Sequence, residues 1–196
     1  MKKILLILVV LSLSVFTTAC VNNLAVQQLN NKASELMKKG DIEGAISRLE
    51  ASVDLDASIF ETQYNLAVAY TENEDYDKAE NAYKKAAELK PDSSEVYYSM
   101  AVMFENYAKD TYTGSTKAQK EAETSDDEEV VSSHDSDGKY NPTDSDIEHV
   151  KKYYEDAIAS YERYLELSPN ANDALDVQAH IEELRANLET LDVDTN

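Results

Sequence analysis

A thirty-four-residue period runs through the front half of this chain: Ala33, Leu36, Ile42, Ala45, Leu49 and Ser52 recur as Ala67, Tyr70, Tyr76, Ala79, Tyr83 and Ala86. A fixed spacing of that length means stacked supersecondary units, each too small to bury its own apolar face alone. Chains of this kind hold other molecules more often than they transform them.

The punctuation fits paired helices. Helix formers dominate from Ala25 onward, Pro91 and Pro169 follow the runs ELK and ELS, and Gly40-Asp41 makes a natural turn. The apolar spacing predicts helices over 24–39, 42–55, 59–72 and 75–89, antiparallel in pairs. Asp75 is placed to cap the helix that starts at Tyr76, with Asp92, Ser93 and Ser94 offered for the next one.

In residues 60–93, Leu66, Ala67, Tyr70, Tyr76, Ala79, Tyr83, Ala86 and Pro91 stand where the tetratricopeptide repeat has its signature residues, and the unit resembles that family closely. The preceding unit, 26–59, keeps Ala33, Ile42, Ala45 and Leu49 but has Lys32 for a leucine and Ala57 for a proline, as a worn copy or an end cap would. A third unit opens with Tyr97, Met100, Ala101 and Phe104. Its second-helix residues Tyr154, Ala157, Tyr161, Tyr164 and Pro169 return forty-four positions late. The resemblance implies an all-α solenoid of about three helix pairs, the third split at its turn by an insertion. An antiparallel turn tolerates this, because its ends lie close together and loop-closure entropy grows slowly with length.

The expected division is a signal segment at 1–19, a tether at 20–25, repeats and the first helix of the third unit over 26–108, and an insert at 109–146. The second helix of the third unit follows at 147–169, a capping helix at 170–191 and a tail at 192–196. The insert carries 11 acids against 4 bases and little that is apolar, which predicts that it is mostly disordered, with the flanks ENYAKDTY and IEHVKKYY lengthening the two helices of the third unit by a turn each. Ala174, Val177, Ile181, Leu184, Leu188 and Leu191 form one stripe that would close the open end of the stack.

The first twenty residues have Lys2 and Lys3, an apolar run from Ile4, and small residues before Cys20, the layout of a secretory signal. Thr17-Thr18-Ala19-Cys20 resembles the lipobox of bacterial lipoproteins, which implies acylation of Cys20 and a lipid anchor. Val21 after it favours the outer membrane of a double-membraned envelope. The alternative is ordinary cleavage that leaves a free thiol on the only cysteine of the chain. Loss of Lys2 and Lys3 would take the net charge from -21 to -23, which repels nucleic acid and anionic surfaces.

Candidate chemistry is sparse. His134, His149 and His180 form no i, i+4 pair, no phosphate-binding glycine loop or nucleophile elbow occurs, and the chain is expected to be no enzyme and to need no cofactor. Ser133, Asp135, Asp137, Gly138, Asn141 and Asp144 fall on places 1, 3, 5, 6, 9 and 12 of a calcium-loop pattern. Serine at the first place and aspartate at the last weaken it against a loop that binds cations loosely.

By the family resemblance, first helices of successive repeats line a concave groove. It would present Glu61, Tyr64, Val68, Thr71 and Glu72 from the second unit and Glu95, Tyr98, Val102, Glu105 and Asn106 from the third. Tyr64 and Tyr98 stand where the family's carboxylate clamp has lysine, and Val68 and Val102 where it has asparagine, so that clamp is absent. An envelope protein or peptide, neutral or basic, is the expected partner. The tyrosines would either dock it or pack between repeats. Two other roles remain open, a self-associating structural protein and a metal-responsive module built on the acidic insert.

Overall fold

The computed structural model describes residues 23–117, 119–120 and 139–194. Among them are seven helices: α1 over 23–37, α2 Ile42–Leu55, α3 Phe60–Glu72, α4 Tyr76–Leu89, α5 Ser94–Tyr112, α6 Asp144–Leu167 and α7 Ala174–Asp194. No strand forms among the described residues. The elements pair in order as α1 with α2, α3 with α4, and α5 with α6, and α7 closes the end against α6.

Alanines set the spacing. Ala45, Ala67, Ala79, Ala101 and Ala157 are fully buried, which lets facing backbones approach closely. Larger side chains fill the seams between units, with Leu49, Tyr83 and Tyr161 all buried. Burying Leu49 alone stabilises the stack by about 2 kcal/mol. All of these residues join one continuous core that runs from α1 to α7.

The turns repeat as well. After α1, Gly40 adopts φ 77°, its N–H bonds to Met37 O at 2.9 Å and the Asp41 N–H bonds to Leu36 O at 3.0 Å. After α3, Glu74 does the same at φ 59°, with its own N–H on Thr71 O at 3.0 Å and Asp75 N–H on Tyr70 O at 2.9 Å. After α5 the motif returns at Gly114, φ 69°, six residues later than the period places it. Each pattern satisfies two carbonyls that a helix end leaves open.

That delay marks where the insert begins to differ from its composition. Phe104, Ala108 and Thr111 share a buried stripe, so α5 runs on to Tyr112. On the far side α6 starts at Asp144, because Thr143 accepts from Asp146 N–H while the Asp146 carboxylate accepts from Thr143 N–H, a reciprocal cap. Residues 109–117, 119–120 and 139–146 are therefore folded. Disorder was expected over most of 109–146, with the flanks lengthening each helix by a turn; the first helix does run on to Tyr112, and packing and capping place 113–117, 119–120 and 139–146 as well. Residues 118 and 121–138 lie outside the described residues.

One expected cap is used otherwise. Asp75 precedes α4, but its carboxylate makes no cap bond and instead accepts from Lys117 and Asn73. Asp41 does cap α2, accepting from Gly44 N–H at 3.0 Å.

Candidate binding surface

First helices of successive units lie side by side, so residues one period apart form rows across α1, α3 and α5. The row 30, 64, 98 does the joining. The Asn30 amide nitrogen lies 2.9 Å from Ser52 Oγ on α2 and 2.8 Å from Thr62 Oγ1 on α3. The Tyr64 hydroxyl lies 2.9 Å from Ser99 Oγ on α5, and its ring meets Tyr83 of α4 edge-on at 6.2 Å. Tyr98 meets Tyr161 and Tyr164 of α6 edge-on at 5.6 and 5.2 Å and keeps 38% of its surface exposed.

Packing thus accounts for much of Tyr64, whereas Tyr98 presents a solvent-facing aromatic edge. Burial pushes the Tyr64 hydroxyl's pKa up, Ser99 opposes this, and the Glu95 charge adds to it. The buried Tyr83 hydroxyl sits beside Thr71 and Ser99 on the same face, its pKa raised first by burial. Val68 and Val102 are half-buried against the core. Thr71 turns its hydroxyl back to Ala67 O at 2.9 Å.

Glu61, Glu72, Glu95 and Asn106 remain exposed around this row. Glu105 does not. One of its oxygens accepts from the Tyr161 hydroxyl at 2.5 Å, and the other lies 2.7 Å from His180 Nε2 on α7. Of the ten positions expected to line the groove, then, Glu105 is already engaged from inside the molecule, and the other acidic ones are open to solvent.

At the opposite rim the insert's base folds onto the second unit. Lys117 Nζ meets Asp75 Oδ1 at 2.9 Å and Lys120 Nζ meets Glu74 Oε2 at 2.9 Å, both at the turn between α3 and α4. Gln119 Nε2 lies 3.0 Å from Thr111 O, 2.9 Å from Tyr140 Oη and 3.2 Å from Asp146 Oδ1, while the Tyr140 hydroxyl donates to Asp146 Oδ2 at 2.7 Å. The two ends of the insert are joined by this cluster. Sequence reasoning missed it, although Thr143 and Asp146 carried a readable capping pattern.

Three rings from three helices stack beside that clasp: Tyr76 on Tyr107 at 4.7 Å and Tyr107 on Tyr153 at 4.0 Å. The Tyr76 hydroxyl donates to Asp110 at 2.5 Å. The stack ties α4, α5 and α6 together across the point where the third unit is split. On the second-helix face, an open depression of about 400 Å³ lies between α2, α3 and α4, floored by Val53, Leu66, Tyr70 and Ala82.

Cys20 lies outside the described residues, as do Ser133, Asp135, Asp137 and Gly138 of the calcium pattern. Asn141 and Asp144 are exposed, and Asp144 belongs to the first turn of α6. Among the described residues no group of three or more histidine, cysteine or acidic side chains is placed to hold a metal. No described helix is long and apolar enough to cross a membrane.

The tetratricopeptide-repeat profile matches residues 60–93 and again 147–171. No curated protein matches the chain by sequence. Among solved structures, the chain is similar to the first tetratricopeptide domain of Spaghetti (RPAP3) bound to the HSP90 peptide SRMEEVD. The TM-score is 0.54 at 18% identity, over 84% of this chain and 93% of that one. It is similar to the Arabidopsis OM64 tetratricopeptide domain, TM-score 0.55 at 15% identity, over 84% and 98%. The second domain of human RPAP3, in complex with the HSP70 peptide SGPTIEEVD, aligns at TM-score 0.50 and 15% identity over 82% and 98%. At these identities the likeness is one of fold. With one profile match on the second unit and one on the second helix of the split third unit, and helices paired and stacked as the period requires, residues 60–93 and 147–171 carry tetratricopeptide repeats and the chain has the fold of a tetratricopeptide-repeat stack.

Proposed function

We propose that this protein is an adaptor or assembly factor that holds a partner polypeptide on its first-helix face, anchored by lipid at Cys20 to a bacterial envelope, on the periplasmic side of an outer membrane where there is one. The observation that carries the binding role is the face itself: an exposed Tyr98 edge flanked by the exposed carboxylates Glu61, Glu72 and Glu95. Aromatic edges beside open polar groups suit peptide docking at small entropic cost.

Two of the similar solved structures, the first and second tetratricopeptide domains of RPAP3, carry peptides that end in EEVD. This chain has Tyr64, Tyr98, Val68 and Val102 in the clamp places, and its groove positions are acidic, so its partner is neutral or basic. A binding role accounts for the surface.

Fluorescence anisotropy with a lysine-rich and a glutamate-rich probe peptide of equal length tests the charge preference. The lysine-rich probe binds, weakens as salt rises, and weakens in Glu61→Gln with Glu95→Gln. Preference for the glutamate-rich probe refutes the reading. Metabolic labelling with palmitate tests the anchor, with the label expected on wild type and absent from Cys20→Ala.

A further inference from the structure

The last helix is held by an apolar stripe and two polar ties of different kinds. Val177, Ile181 and Leu184 are buried along the stripe. Arg185 Nη2 meets Glu162 of α6 at 2.5 Å, and His180 Nε2 meets Glu105 of α5 at 2.7 Å. A guanidinium stays charged at any physiological pH, whereas an imidazole does not.

The groups facing the imidazole come from all three helices. Glu105 approaches from α5, Tyr161 of α6 offers its ring edge at 5.6 Å, and Glu183 of α7 lies 3.4 Å from Nδ1. Arg185, one turn along α7, is occupied by Glu162 and Glu182 at 2.5 Å each. A proton on His180 therefore has a carboxylate on either side of the ring.

We propose that α7 is a proton-dependent end cap: protonated His180 fastens it to α5 through Glu105, and loss of the proton loosens the helix and frees one oxygen of the Glu105 carboxylate, the other staying with the Tyr161 hydroxyl. Burial pulls the imidazole's pKa down, but the hydrogen bonds and charges of Glu105 and Glu183 outweigh it and leave it above the ordinary value. A raised value means the tie is complete below the unfolded pKa and fades as pH climbs through the folded one. Permanent attachment is left to the apolar stripe and Arg185. The cap's behaviour stands apart from whether the face binds a partner, and its test uses no ligand.

Hydrogen exchange of the full mature chain is measured over residues 174–191, with α4 as internal reference and rates corrected for intrinsic chemistry. Between about pH 5.5 and about pH 8.5 the opening of α7 relative to α4 should rise roughly threefold, as for one partly exposed ion pair. His180→Gln abolishes that pH dependence. Arg185→Gln raises opening at both pH values and keeps the dependence. A wild-type α7 whose relative opening does not change with pH, or a His180→Gln variant that keeps the wild-type profile, overturns the proposal.

Discussion

Glu74 holds, at φ 59°, the left-handed turn that Gly40 holds at φ 77° one repeat earlier, with the same pair of backbone bonds behind it. Only glycine takes that conformation without steric cost. Glu74→Gly removes the strain at the loss of one exposed pair to Lys120. It should raise stability by about 0.5–1 kcal/mol, seen as a higher urea midpoint at unchanged slope. An unchanged or lower midpoint would mean that the Lys120 pair matters more than the turn.

Gly114 carries a second demand. A Cβ there would strike the Tyr140 ring, and its φ of 69° is unfavourable for any other residue. Gly114→Ala should cost more than about 1 kcal/mol. Protection in hydrogen exchange should drop first over residues 139–146, where Tyr140, Gln119 and Asp146 join the insert's ends. Unaltered protection there would show that the clasp does not hold the split unit together.

The tyrosines make alkaline stability informative. Burial, followed by the carboxylates that accept their hydroxyls, raises the pKa values of Tyr70, Tyr76 and Tyr161, which donate to Glu50, Asp110 and Glu105. The folded chain keeps these protons where the unfolded chain releases them. Their contribution is whole below the ordinary tyrosine value near about 10 and is lost as pH rises above it. Tyrosinate absorbance and helicity should therefore change together in alkali. Smooth tyrosinate formation with helicity intact would contradict the buried, paired arrangement.

Much of this architecture was legible because alanine and tyrosine recur at fixed spacing. The helix predicted at 42–55 forms with those ends, and those predicted at 59–72 and 75–89 form one residue shorter. The stripe from Val177 to Leu184 packs as its period requires. The insert was legible in part: the lengthening of the helices that flank it was expected, the clasp between its ends was not. Its acids dominate the composition, whereas what folds its flanks is local: the stripe through Phe104, Ala108 and Thr111, and the Thr143 cap. The docking row was half legible. Spacing aligned Tyr64 with Tyr98, but it did not reveal that Ser99, one residue off that row, ties α5 to Tyr64, or that His180 reaches Glu105 from a helix seventy-five positions away. Contacts of that range depend on the stack being built first.

The Tyr64 and Tyr98 contacts also change how the binding face is probed. Replacing both by alanine removes packing against Tyr83, Tyr161 and Tyr164 together with any docking edge, so lost binding would not be separable from lost structure. Tyr64→Phe is milder. It should cost about 1 kcal/mol through the Ser99 bond, leave the ring in place and preserve binding. A cost near zero would show that Ser99 contributes no net bond.

Photocrosslinking tests the central claim most directly. A photoreactive amino acid is placed at Val102 on the first-helix face, or at Asn81 on the second-helix face, in otherwise intact cells. Adducts to one discrete polypeptide should form from position 102, disappear when Glu61 and Glu95 are also changed to glutamine, and be absent from position 81. Adducts from position 81 with none from 102 would contradict the account.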